Sequence, residues 1–461
     1  MTTVDTLISG GLVHTPYGPS ELSIAINDGK IVALGKDSAL PNSESVIDAT
    51  GKVVFPGLID THVHFREPGY TYKEDFTTGT QAAAAGGFTM VVDMPNVNPP
   101  TNTVQAFKEK NALARSKAVI DFGHHAGATL LEELPGLARA GATAFKIYMV
   151  NDPKTGYPHD SRLFIGNDGV MLDTFKAIKS LDMTAFVHTT DQEIFENQMR
   201  KHASEGKTDP MTYTEDYLSE DLVGDWISTA KIVLLAELTG VRLHVCHTRS
   251  ERAIRMIEDA RKAGYQVTNE VNPKYFLFTK EHLKMLGPHL SPNALEEKDR
   301  IALLGEVKSG HLTVFATDHA PHTWEEQEPG WKDTWNSPNG SPQIEDTLPA
   351  LLTLVNRGVL ALDAIPTYFS SNPAKLIGVY PQKGAISVGS DADLALVDLK
   401  VRRKVSKDRI YSKVGWSPFE GREMQGAPVL SMVRGNVVSR DGVVEGKPGS
   451  GRWVPGPKYA G

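Results

Sequence analysis

Eight short apolar runs, separated by helix-patterned stretches, constrain this chain more than anything else in it. They fall at Gly57–Phe65, Thr89–Met94, Ala118–Phe122, Ala144–Met149, Thr184–His188, Arg242–His247, Gln266–Val271 and Thr313–Thr317. Between many of them lie stretches with helical periodicity, such as Val170–Ser180, Leu222–Leu238 and Glu251–Lys262. Strands that alternate with helices build parallel sheets, and eight of them suit a closed barrel. An open doubly wound sheet is the alternative, but no Gly-x-Gly-x-x-Gly fingerprint accompanies it here. The expected fold class is α/β, a (β/α)8 TIM barrel.

The two ends have a different texture. Leu22–Ile26 and Lys30–Leu34 flank Asn27-Asp28-Gly29, which is hairpin chemistry. Asp393–Asp398 follows the turn-rich Gly389-Ser390-Asp391, and Ser431–Val433 and Asn436–Ser439 flank Arg434-Gly435. Residues 1–54 and 384–461 are therefore expected to pair into one small β-sandwich domain, with residues 55–383 forming the barrel. The tail beyond Lys447 is rich in Gly and Pro, the composition of an irregular arm that packs on a neighbour or stays mobile.

Composition excludes several partner classes. A net charge of −8 over 461 residues lacks the basic footprint of a nucleic-acid binder. No apolar stretch reaches membrane-spanning length, and the N-terminus lacks a signal-peptide pattern. One cysteine, Cys246, rules out an intrachain disulfide and fits a cytoplasmic protein.

In a barrel, chemistry gathers at the carboxyl ends of the strands. The first run ends in His62-Val63-His64, whose imidazoles point the same way because strand residues alternate. The fourth carries Lys146, the fifth ends at His188, the sixth at His247, and the eighth leads to Asp318. Each alone has a bland reading: a chance His pair, a satisfied strand-end histidine, a lysine in a buried salt bridge. Together they place four imidazoles, one carboxylate and one lysine on five converging strand ends. Imidazole and carboxylate are ordinary zinc ligands, and two ions a few ångströms apart can share and activate a hydroxide. An ammonium would repel them. A neutral buried lysine, however, can take up carbon dioxide and become a carbamate, an anionic ligand able to bridge both.

The segment Gly57-Leu58-Ile59-Asp60-Thr61-His62-Val63-His64-Phe65-Arg66-Glu67-Pro68-Gly69 resembles the signature of the cyclic amidohydrolases, the group of hydantoinase (dihydropyrimidinase), dihydroorotase and allantoinase. Asp93-Met94-Pro95-Asn96, Ala144-Phe145-Lys146, His244-Val245-Cys246-His247 and Ala316-Thr317-Asp318-His319-Ala320-Pro321-His322 match as well. The resemblance spans nearly the whole chain. It implies two divalent ions, zinc by default. His62 and His64 would hold the first, His188 and His247 the second, and a carboxylated Lys146 would bridge them. Asp318 would ligate the first ion and act as general base, passing a proton to the leaving nitrogen.

The resemblance is divided over the substrate. Arg66, Asn96 and His322 fall where dihydroorotases hold a substrate carboxylate; the bland alternative pairs Arg66 with Glu67 or Asp75. Ser291 and Asn339 resemble hydantoinase substrate contacts. Hydantoinases place an oxyanion-stabilising Tyr five residues after the lysine; here that position is Asn151, with Tyr148 nearby. Dihydroorotases and allantoinases often carry His after the Pro of the seventh-strand motif, which here reads Glu270-Val271-Asn272-Pro273-Lys274. The expectation is metal-dependent hydrolysis of a small cyclic ureide or imide, hydantoinase-like, with dihydroorotase and then allantoinase as alternatives. By the same resemblance the chain is a homodimer or homotetramer. A metal-free assembly protein related to dihydropyrimidinase is the non-enzymatic alternative. His124, His125, His159 and His244 are expected in structural or surface roles.

Overall fold

A computed structural model describes residues 3–212, 218–290 and 295–460. Parallel strands Leu58–Val63, Phe88–Asp93 and Asp121–His124 form one arc of a barrel. Ala126–Gly127, Phe145–Tyr148, Thr184–His188, Arg242–Val245, Val267–Val271 and Val314–Phe315 form the other. Backbone hydrogen bonds close both seams: His64 N donates to His319 O, and Thr143 N to His124 O, each at 2.8 Å. Helices cover the outside, so most of these strand residues are buried and the strands read as nearly continuous apolar runs. The helix Glu251–Lys262 turns Ala253, Ile254, Ile257 and Ala260 inward, the spacing of one helical face. Asp75 caps the helix Phe76–Ala85 by accepting from Thr77 N and Thr78 N.

Both chain ends meet in a second, nine-stranded sheet. Val4–Thr15, Gly18–Asn27, Lys30–Gly35, Ser43–Asp48 and Val53–Pro56 come from one end. Leu394–Lys404, Glu423–Val433, Asn436–Arg440 and Val443–Val444 come from the other. The two sets join where Val53–Pro56 pairs antiparallel with Leu394–Lys404, in the register Val53↔Val397. The expected hairpin forms with Asp28 and Gly29 both at positive φ (50° and 73°), as its tight turn requires. The architecture is a TIM barrel with a β-sandwich domain built from both termini.

Two features differ from the sequence reading. The third barrel strand begins at Asp121 rather than Ala118, because the Ala118 carbonyl accepts amides of Gly449 and Gly451 from the tail. That tail is ordered along the barrel's own strand edge. Phe122 N donates to Arg452 O at 3.0 Å, Val454 N to Phe122 O at 2.7 Å, and Arg115 stacks over the Trp453 ring.

A buried charge cluster ties the barrel to the sheet. Lys383 Nζ lies 2.7 Å from Asp121, 2.6 Å from Asp393 and 3.1 Å from Asp391, and Arg434 also pairs with Asp121. Burial would lower the Lys383 pKa, but these three carboxylates outweigh it and hold the group above the ordinary lysine range.

Candidate active site

At the carboxyl end of the barrel, the side chains anticipated from six strand positions come together. His62 Nε2 lies 3.4 Å and His64 Nε2 3.1 Å from Asp318 Oδ1, and the ligand atoms of the three all fall within 4.8 Å of one another. His247 Nε2 is 2.7 Å from His188 Nδ1. The His62 and His247 rings, 5.8 Å apart, connect the two groups. Lys146 is wholly buried and donates to Cys246 Sγ at 3.0 Å. Its charge is among those that depress His188 and His247.

The surrounding shell fixes which nitrogen faces inward. His62 Nδ1 lies 2.5 Å from Glu270 Oε1, a carboxylate that can only accept, so Nε2 presents its lone pair toward Asp318. His64 does the same by donating Nδ1–H to Asn96 Oδ1 at 2.7 Å. Glu270 also accepts from His247 N at 3.0 Å and faces His244 Nε2 at 3.2 Å. Burial drives His64 and His247 down to about 3, and His188 well below its ordinary value. These imidazoles are therefore neutral at physiological pH, the state a metal requires. The donor set fits divalent metal.

Backbone strain concentrates at the same place. Arg66, His247, Asp318 and His159 have φ of 62°, 34°, 50° and 75°, the left-handed region that side chains rarely occupy.

A cavity opens above the imidazoles, and Arg66, Asn96, His322 and Asn339 line it as expected. Arg66 donates to Pro321 O at 3.1 Å and lies 2.7 Å from His159 Nε2 and 3.0 Å from His322 Nε2. Among the described residues no carboxylate lies within ion-pair distance of it. Glu67 pairs instead with Lys117, and Asp75 with Lys413. Ser291 lies outside the described residues.

The amidohydrolase family profile matches residues 53–438. An L-hydantoinase of Paenarthrobacter aurescens is 32% identical over 461 residues, covering 99% of each chain. A dihydroorotase of Methanothermobacter thermautotrophicus is 34% identical over 436 residues, 94% of each. The solved structure of the L-hydantoinase (dihydropyrimidinase) from Arthrobacter aurescens superposes with a TM-score of 0.92 at 32% identity, covering 98% of this chain and 100% of that one.

The chain belongs to the amidohydrolase family.

As a cyclic amidohydrolase it departs from the sequence reading at two aromatic positions. Tyr148, expected to reach the substrate, is fully buried, and it is Tyr157 that lines the cavity, its hydroxyl 3.1 Å from His188 Nδ1. In the parallel strand Phe145–Tyr148 the Tyr148 ring packs behind Tyr157, the two centroids 5.7 Å apart. Tyr157 stands in an irregular loop with no periodicity to announce it. His159, expected in a structural or surface role, also lines the cavity. Glu270, which orients this amidohydrolase's first histidine, did carry a signal: a carboxylate inside an apolar strand run needs buried partners.

Proposed function

We propose that the protein opens a cyclic ureide or imide by hydrolysing a ring C–N bond, at two divalent ions held by His62, His64, Lys146, His188, His247 and Asp318. The observation that supports this most is the convergence of His62, His64, His188, His247 and Asp318 on one cavity, with the inward nitrogens of His62 and His64 preset. Zinc would suit the donors, and Lys146, as a carbamate, would supply an anionic oxygen ligand beside them. The bound ions supply Lewis acidity toward water and the scissile carbonyl.

The chain's own groups do the rest. Asp318 takes a proton from the attacking water and delivers it to the leaving ring nitrogen. Burial raises the Tyr157 phenol well above its ordinary value, so it remains a donor, and its hydroxyl faces the carbonyl oxygen as charge gathers there. Asn339 meets the ring from the cavity wall. A ring carboxylate, where present, lies on Arg66, His322 and Asn96, whose Nδ2 is buried without a partner among the described residues. A cytoplasmic homodimer or homotetramer belongs to the same reading.

Incubating metal-loaded protein with hydantoin, dihydrouracil, dihydroorotate and allantoin tests it. At least one ring should open; no turnover of any, with ions bound, rejects the proposal. Arg66, with no ion pair among the described residues, favours a second reading, dihydroorotase, for which dihydroorotate should be opened fastest. Allantoin opening fastest would point to the third, allantoinase. Absence of tightly bound metal would instead favour the assembly-protein reading.

A further inference from the structure

A second cation lines the cavity with no ion pair among the described residues. Lys274 follows Pro273 directly after the seventh barrel strand, Val267–Val271. It is 95% buried by its 5% exposure, and it borders the cavity beside Tyr275 and Asp318. Among the described residues its ammonium has no ion pair; its nearest ring is Tyr275, 5.8 Å from the centroid. The adjacent Arg249 is already committed to Asp225 at 2.6 Å. The strand leading to Asp318 pairs with the seventh strand on one side and meets the first on the other. Lys274 and Arg66 therefore follow the two strands that neighbour the one leading to Asp318, and all three line the cavity.

An ammonium so buried is costly unless something anionic meets it. The intact ring offers no charge at its scissile amide. Hydrolysis creates one. Water oxygen bonds to the carbonyl carbon and the C–N bond breaks. One water proton goes to the leaving nitrogen; the new acid loses the other to solvent and becomes a carboxylate. That carboxylate arises at the carbon attacked beside Asp318, in the cavity that Lys274 also lines.

We infer that Lys274 is a product-binding residue, the counter-ion of the carboxylate that ring opening creates. The inference rests on the ring-opening reading above. It gives the site an affinity for N-carbamoyl acids that exceeds its affinity for the parent rings. Burial lowers the Lys274 pKa while Asp318 opposes the fall, and a bound carboxylate adds to that opposition.

The test takes, from the four rings, the one opened fastest, and the acid it yields: N-carbamoylglycine, N-carbamoyl-β-alanine, N-carbamoylaspartate or allantoate. In metal-loaded Lys274→Met, calorimetric Kd and inhibition constant for that acid should rise about tenfold or more. The ring KM should shift less than threefold, and Lys274→Arg should restore most of the acid affinity. If Lys274 merely balances Asp318, kcat falls while acid and ring affinities stay level or move together; that result overturns the inference. Wild-type protein that opens none of the four rings overturns the reading beneath it instead.

Discussion

The molecule holds two buried charge clusters, and they are built on opposite plans. Behind the barrel, Lys383 is surrounded by Asp121, Asp391 and Asp393, and every charge has its partner. At the mouth, Arg66 leans on two neutral imidazoles and Lys274 on one ring. A saturated cluster completes itself and holds two domains together. An unsaturated one is completed only by what enters from outside.

Substitutions can break this contrast. The largest effect is expected at the reacting centre. Asp318→Asn should lower kcat by about 100- to 10,000-fold with metal content retained; a near-normal rate would reject its role as base. Lys146→Ala should also lose turnover, partly recovered by added short carboxylic acids, and activity without them would contradict the bridging role. Next comes Lys383→Met, which leaves Asp393 without its cation while Asp121 keeps Arg434 and Asp391 keeps Lys30; it should cost about 3–5 kcal/mol in denaturant unfolding, with ring KM unaltered. Arg66→Met should do the reverse. Unfolding stability should hold or improve, while kcat/KM for dihydroorotate falls about 10- to 100-fold more than for hydantoin; equal losses would free Arg66 from carboxylate recognition.

The smallest effect is a pH slope. Burial, aided by Arg66, lowers Lys73 to about 8, against 10.5 in the unfolded chain. Between those values the unfolded state binds the proton that the folded state has released. Stability therefore rises with pH across that window, by at most about 1.4 kcal/mol per unit, and the burial cost is complete below it. Unfolding profiles of wild type minus Lys73→Met should isolate the slope; a flat difference would disprove it.

The barrel and its inward imidazoles were legible because strand ends and alternation are local: His62-Val63-His64 fixes a direction whatever surrounds it. Pairing of the two termini was legible from matching turn chemistry at Asn27-Asp28-Gly29 and Arg434-Gly435. What escaped depends on distant partners. Tyr157 and His159 reach the cavity by the path of a loop. The tail's course is set by the open carbonyls of Ala118 and Phe122, and only the folded barrel reveals that those groups are available.

The left-handed backbone at Arg66, His247 and Asp318 carries a practical corollary. Each such residue withholds about 1–3 kcal/mol that glycine would return. Selection for heat resistance alone would drift toward glycine at these three points and harvest a sturdier, inert barrel. Durability and turnover compete here through three torsion angles, so a hardened enzyme has to be sought elsewhere in the chain.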